Sequence, residues 1–213
     1  MSVKRILIYC EGKNEHGGCW DEERVGMDHP GALPRLVNRL LPEAADWSFC
    51  CKPWKNVKAP QGKGPLLARK TMVAMTRGGL DGFDAVVVVM DRDRVRSRLN
   101  DLATGRDDSS SDISSPFVPC AVGVAVETFD AWMIVDGGAA KCAGAEGANT
   151  HGEPEKLTGK EKSGNHPKDR AEDIFGGGLT EAYSAVAPSV DLDMLRERCP
   201  NGFGAFADDV QYH

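Results

Sequence analysis

Runs of consecutive apolar residues recur along the chain and are separated by polar, glycine-rich segments. Four of these runs predict β-strands, because each is short and carries apolar side chains on both of its faces. They lie at residues 4–10 (KRILIYC), 47–54 (WSFCCKPW), 84–91 (DAVVVVMD) and 117–127 (FVPCAVGVAVE). Strands that lack an apolar–polar alternation are typical of a parallel sheet that is covered on both faces.

Segments with a helical spacing of apolar residues follow the predicted strands. Helices are predicted at residues 29–43, 65–80, 94–105 and 128–138, and shorter ones at 168–187, 191–199 and 203–210. Asp191 is the expected N-cap of the helix at 191–199. Residues 12–30 and 106–115 are predicted to be loops. The alternation predicts an α/β, Rossmann-like fold, with a central parallel sheet of about four strands flanked by helices and a C-terminal helical extension.

Two regions are expected along the chain. Residues 1–136 hold the predicted strands and form the α/β core. Residues 137–213 are expected to comprise a flexible connection over 137–165, which shows little periodicity, and C-terminal helices that pack on the core.

Net charge, cysteine spacing and the length of the apolar runs exclude several classes of protein. The chain has 213 residues and a formal net charge of -6, so it is not a purely electrostatic binder of nucleic acid. Its seven cysteines show no CxxC spacing, which favours reduced thiols. The start of the chain does not resemble a signal peptide, and no apolar run reaches the length of a membrane span. We therefore expect a soluble, cytoplasmic protein without a membrane partner.

Carboxylates stand at the ends of three of the predicted strands. Glu11 ends the first strand, Asp91 and Asp93 end the valine-rich strand, and Glu127 ends the last one. In a parallel sheet the carboxyl ends of the strands meet at one edge, where chemistry gathers. Clustered carboxylates repel one another unless a cation lies between them, and their hard oxygens suit Mg²⁺ or Mn²⁺. One or two such ions could clamp a phosphodiester, although acids also follow buried strands simply because the chain has reached solvent.

Three segments around these acids together resemble the Toprim domain, which occurs in topoisomerases, primases and nucleases. They are ILIYCEGKNE, VVVVMDRDR and VGVAVETFDAW. The wider arrangement is most similar to a Toprim-like family of bacterial proteins, the DUF4276 type, related to the nuclease domain of the overcoming-lysogenization-defect (OLD) family. This resemblance rests on motifs and covers roughly residues 4–210. It implies a Toprim-like core with metal-dependent nuclease chemistry.

The resemblance also implies roles for particular residues. The expected metal ligands, which are also expected to be catalytic, are Glu11, Glu15, Asp91, Asp93 and Glu127. Lys168 corresponds to a late lysine that would lie near the scissile phosphate and offset its charge. Two positions depart from the pattern. Ala125 stands where some OLD-type sites carry a hydroxyl residue, and Arg92 stands between the two aspartates.

Basic residues near the same edge are candidates for contacts with nucleic acid. The loop that follows the second strand carries Lys52, Lys55, Lys58 and Lys63, which could follow a phosphate backbone or simply be solvated. Trp54, among them, could stack on a base. Arg92 and Arg94 could contact phosphate, or Arg92 could form an ion pair at the edge of the core.

Three functions are compatible with these patterns. The first is a divalent-metal-dependent nuclease or nickase acting on DNA or RNA, which could serve as the effector of an antiviral defence system. Its ATPase would be a partner protein, because neither Gly-Lys pair of this chain has the frame of a phosphate-binding loop. The second is a non-catalytic or partner-activated binding subunit. The third is a small-molecule phosphatase or phosphotransferase with Asp91 as nucleophile, which would not need Glu11 or Glu127.

Overall fold

The protein has an α/β fold built around one five-stranded sheet. The computed structural model describes residues 3–110, 117–145 and 151–212. In the sheet order β2-β3-β1-β4-β5, four strands run parallel and β2 runs antiparallel to β3 at one edge. The strands are β1 (Lys4–Cys10), β2 (Glu23–Val25), β3 (Trp47–Pro53), β4 (Ala85–Asp91) and β5 (Cys120–Ala125). The predicted α/β class and the four parallel strands are confirmed.

Ten α-helices lie within the described residues. They are α1 (Lys13–His16), α2 (Ala32–Leu40), α3 (Leu66–Leu80), α4 (Arg98–Ser110), α5 (Asp130–Met133), α6 (Gly137–Cys142), α7 (Pro167–Phe175), α8 (Leu179–Val186), α9 (Leu192–Arg198) and α10 (Ala205–Tyr212). Asp191 caps α9 as predicted, because its carboxylate accepts from the backbone N–H groups of Asp193 and Met194.

Side chains of the central strands alternate between two apolar layers. Ile6 and Ile8 of β1 face α2 and the C-terminal helices, whereas Leu7 and Tyr9 face the layer of α3 and α4. The faces are both buried because the parallel strands are apolar throughout. Residues of α8, α9 and α10 belong to the first layer, so the C-terminal helices complete the core of the sheet.

Several local predictions differ from the structure, and the helix predicted at 168–187 is also divided, into α7 and α8. The short edge strand β2 lies in the predicted loop 12–30 and has no apolar signal, since its three residues are all exposed. The helix predicted at 128–138 is divided into α5 and α6, because Asp136 caps a new helix by accepting from the N–H groups of Gly138 and Ala139. Within the connection 137–165, α6 is helical and residues 146–150 lie outside the described residues.

The helix after β4 begins later than predicted and ends later too. Asp93 and Arg94 have φ angles of 44° and 64°, in the left-handed region, so a right-handed helix cannot include them. Helix α4 therefore starts at Arg98 and continues to Ser110, through the first part of the loop predicted at 106–115. Residues 111–116 lie outside the described residues.

Candidate active site

A cleft of about 370 Å³ opens at the carboxyl edge of the parallel strands. Its walls come from the end of β1 and α1, from the end of β4, from the turn between β5 and α5, and from the segment that leads into α7. Its charged lining residues are Glu11, Glu15, Asp91, Asp93, Asp130, Glu161 and Lys168, with His166 beside them. The structure thus brings together five of the six residues predicted to be catalytic. Glu127 is the one that does not line this cleft.

The first wall is formed where β1 passes into α1. Glu11 accepts a hydrogen bond from the backbone N–H of Asp91 at 2.8 Å, which ties the ends of β1 and β4 together. Gly12 lets the chain turn back closely, since a Cβ at this position would lie 2.6 Å from the Oε2 atom of Glu15. The Glu15 side chain is consequently buried beside the strand end.

Asp91 lies at the centre of the cleft, at the last position of β4. Its Oδ1 atom accepts a hydrogen bond from the backbone N–H of Phe129 at 2.7 Å. Burial raises the pKa of Asp91 well above its usual range, and the charges of Glu15, Asp130 and Glu11 raise it further. Burial also raises the pKa of Glu15 to about 7, with Asp130 and Glu11 adding to the effect. The cleft therefore opposes the negative charge that its own carboxylates would carry.

Asp130 is a cleft residue that the sequence analysis did not select. It is the first residue of α5, is buried, and accepts a hydrogen bond from the hydroxyl of Tyr183 on α8. It lies three residues after Glu127, in the motif ETFDAW. The search for acids at strand ends selected Glu127, the first acid after β5. Nothing in that pattern favours Glu127 over Asp130, which is the second.

Glu127 is directed into a different environment. Its backbone has a φ of 61°, in the left-handed region, and its carboxylate is buried. Arg92 Nη2 lies 2.7 Å from Glu127 Oε1, and Arg94 Nε lies 3.8 Å from Oε2. The two arginines proposed to contact phosphate are thus engaged with this carboxylate. Arg92 forms the ion pair at the edge of the core that was its alternative role.

The outer side of the cleft contains an arginine among the acids. Arg98 Nη1 lies 3.0 Å from Asp93 Oδ2 and 4.0 Å from Glu11 Oε2, and it also donates to the backbone carbonyl of Asp91. By contrast, no lysine, arginine or histidine among the described residues forms an ion pair with Glu15, Asp91 or Asp130.

Lys168 closes the cleft from the C-terminal region. Its ammonium group is paired with Glu161, which raises the pKa of Lys168, and its backbone N–H donates to His166 Nδ1 at 3.3 Å. The preceding loop is held by Asp169, which accepts from the N–H groups of Lys162 and Gly164 at 2.7 and 2.8 Å. Lys168 therefore lines the same cleft as the acids at the strand ends.

The loop that carries the lysines predicted to contact nucleic acid begins at the carboxyl edge of the sheet, because Pro53 at the end of β3 pairs with Cys10 at the end of β1. Lys55, Lys58 and Lys63 are exposed, whereas Lys52 is paired with Asp81 at 3.2 Å. Burial lowers the pKa of Lys70, while the charge of Glu11 raises it and that of Lys58 lowers it. Trp54 is buried, with the Lys70 ammonium 4.4 Å from its ring centroid. The expectation that Trp54 stacks on a base is therefore wrong.

The donor set suits a hard cation. Glu15, Asp91 and Asp130 offer carboxylate oxygens in one partly buried cleft, where burial and then the charges of the neighbouring acids raise the pKa values of Glu15 and Asp91. As they stand, no three acid, histidine or cysteine side chains in the described ranges are close enough to form a metal site. Ligation would thus require these carboxylates to draw closer. Ala125 contributes no hydroxyl, and its methyl group is buried in the core.

Two further findings complete the description. Among the described residues, none of the helices combines the length and the apolar character that a membrane span requires. Comparison of the chain with models of known protein families, with curated proteins and with solved structures found no match.

Proposed function

We propose that the protein is a divalent-metal-dependent phosphodiesterase that cleaves or nicks nucleic acid. The observation that carries this proposal is the group of three carboxylates, Glu15, Asp91 and Asp130, which share one cleft without a cation in contact. A Toprim-like identity agrees with the order of the acids along the chain and remains part of the proposal.

In this proposal the three carboxylates hold Mg²⁺ or Mn²⁺. The ion would activate water and polarise the phosphoryl oxygen. Lys168 would exchange its partner Glu161 for a non-bridging oxygen of the scissile phosphate, where its charge offsets the charge that develops. The exposed lysines 55, 58 and 63 would bind the phosphate backbone on the approach to the cleft.

Cleavage assays with matched variants test this function. Purified protein would be incubated with Mn²⁺ or Mg²⁺ and with supercoiled DNA, single-stranded DNA or RNA. Asp91→Ala should abolish cleavage because it removes a ligand, and Glu11→Ala should abolish it because Glu11 fixes the backbone of Asp91. Circular dichroism should show a retained fold for both variants. Asp173→Ala provides the control, because Asp173 is exposed on α7 outside the cleft. Equal cleavage by the wild type and both cleft variants would refute the proposal.

A partner-activated subunit is the second candidate, and one observation favours it. Lys168 is neutralised by Glu161, and Asp93 by Arg98, so part of the site is already paired within the chain. A partner protein, such as an ATPase, would then release these groups. Thermal stabilisation by Mn²⁺ without cleavage of any tested nucleic acid would support this function over the first.

The phosphatase alternative differs in which acids it needs. It would use Asp91 as a nucleophile, with no requirement for Glu11 or Glu127. Loss of activity on a small phosphate ester after Asp91→Ala, with activity retained after Glu11→Gln, would favour it over metal-dependent cleavage of nucleic acid.

A further inference from the structure

The carboxylates of the cleft fall into two groups that differ in their counter-charges. The inner group consists of Glu15, Asp91 and Asp130. Glu15 and Asp130 are buried and Asp91 is half-buried, and none of the three carboxylates forms an ion pair with a lysine, arginine or histidine of the described residues. The outer group consists of Glu11 and Asp93, whose carboxylates lie 4.0 and 3.0 Å from Arg98 Nη1. The Arg98 guanidinium is therefore already the counter-charge of both outer carboxylates.

We infer that Arg98 occupies the position of a second cation. The cleft then binds one divalent ion, at the inner group, and the place between Glu11 and Asp93 becomes available to another ion only when Arg98 is removed. This inference rests on the proposed function, because it assumes the inner metal site, and it specifies how many ions that site takes.

The contacts of Arg98 support a fixed cation rather than a mobile surface charge. Its side chain is only 18% exposed, although it begins helix α4 at the protein surface. It also donates to the main-chain carbonyl of Asp91, so the strand end itself positions the guanidinium. An arginine keeps its charge at every accessible pH, so this counter-ion cannot be removed by deprotonation.

The two groups of carboxylates therefore differ in how readily they would bind a dication. A dication that approached Glu11 and Asp93 would meet a positive charge already paired with both carboxylates, and displacing it would break the contacts to Asp93 and to the Asp91 carbonyl. A dication at Glu15, Asp91 and Asp130 would break no ion pair, and it would offset the burial and the mutual repulsion that raise the pKa values of Asp91 and Glu15.

The test is the stoichiometry of Mn²⁺ binding, measured by calorimetry and by electron paramagnetic resonance. The wild type is expected to bind one Mn²⁺. Arg98→Gln is expected to bind two, and spin coupling would report ions within about 4 Å of each other. Arg98→Lys, which keeps the charge, and Arg96→Gln, which neutralises an exposed arginine two residues away, should each still bind one.

The number of Mn²⁺ ions bound distinguishes a failure of this inference from a failure of the proposed function. Two ions on the wild type, or one on a folded Arg98→Gln variant, would overturn the inference while leaving a metal-dependent function in place. No Mn²⁺ binding at all would refute the metal site of the proposed function, and the inference with it. If Arg98→Gln does not fold, Asp93→Asn supplies the test. If this variant binds one Mn²⁺ with an affinity within about twofold of the wild type, Asp93 is not a ligand of the inner site, as inferred. A tenfold loss of Mn²⁺ affinity would contradict the inference.

Discussion

Glu127 and Asp130 both follow strand β5 and are both buried, but the surroundings of their carboxylates differ. The segment at Glu127 faces Arg92 and Arg94, which neutralise it, and it lies outside the cleft. The segment at Asp130 faces Glu15 and Asp91, and its only polar partner in the contacts described is the hydroxyl of Tyr183. A buried carboxylate with its own arginines is suited to hold the fold together, whereas one among other carboxylates is suited to bind a cation.

The largest expected effect distinguishes these two residues in catalysis. Asp130→Asn should lower metal-dependent cleavage by on the order of a hundredfold or more, because it removes a ligand of the ion. Glu127→Gln removes the same charge three residues earlier, and its cleavage and Mn²⁺ affinity should stay within about threefold of the wild type. Steady-state cleavage rates and calorimetric titrations check both variants. Equal losses would show that Glu127 is also a ligand.

The next effect concerns the pH dependence of stability in the inner group. The native state keeps a proton on Glu15 up to about pH 7, whereas the unfolded chain releases it near 4.5. The native state therefore binds more protons in this range, and the free energy of unfolding of the metal-free protein should fall as the pH rises, by at most about 3 kcal/mol. Urea unfolding between pH 5 and 8 in a chelator measures this fall.

Two changes should reduce that fall. Glu15→Gln should show a shallower decline, with the remainder due to Asp91, whose pKa is raised in the same direction. Saturating Mn²⁺ should stabilise the wild type most at high pH, where protons no longer compete for the carboxylates. Glu181→Gln, which changes an exposed residue of α8, is the control. A wild-type stability that rises from pH 5 to 7 in chelator would contradict this explanation.

The comparison of the two sites also predicts a loss of stability at Glu127. Glu127→Gln should lower the free energy of unfolding by about 2 kcal/mol, because it leaves the Arg92 guanidinium without its charged partner. Glu22→Gln removes an ion pair to Arg24 that is more than half exposed, and it should change the free energy of unfolding much less than Glu127→Gln does. Urea unfolding at one pH measures both, and similar values for the two variants would mean that the Glu127 pair is not structural.

The smallest effect is expected at the basic loop beside the cleft. Lys55→Ala and Lys58→Ala should each weaken binding of catalytically inactive Asp91→Ala protein to nucleic acid by only a few-fold. Each should also reduce the steepness of the salt dependence by about one counterion, with little dependence on sequence. Lys141→Ala, which changes an exposed residue of helix α6, is the control. Fluorescence anisotropy at several salt concentrations checks this, and no change in slope would exclude these lysines from binding.

The sequence predicted the sheet better than it predicted the site. Apolar runs indicate buried strands directly, so β1, β3, β4 and β5 were found, and with them the edge where Glu11, Asp91 and Asp93 lie. The exposed residues of β2 carry no such signal, because that strand is specified by its pairing with β3. Sequence position alone could not assign Glu127 and Asp130, since the left-handed backbone at Glu127 decides which carboxylate enters the cleft.

The role of Arg98 was also hidden in the sequence for a physical reason. The strongly basic segment after Asp93 contains Arg94, Arg96 and Arg98 at equal spacing. Arg94 is directed to Glu127 and to the loop at Gly159, and Arg96 is exposed. Arg98 alone of the three contacts the cleft acids Asp93 and Glu11, and this depends on where α4 begins.

A crystal structure of the protein soaked with Mn²⁺, with anomalous scattering to locate the ion, would show whether Glu15, Asp91 and Asp130 bind one divalent ion. We expect one Mn²⁺ with carboxylate oxygens of Glu15, Asp91 and Asp130 at about 2.2 Å, Arg98 still on Asp93, and Glu127 still on Arg92. An ion bound instead by Glu127 and Asp93, with the arginines displaced, would contradict the assignment of the inner group, and so would the absence of any Mn²⁺ from the cleft.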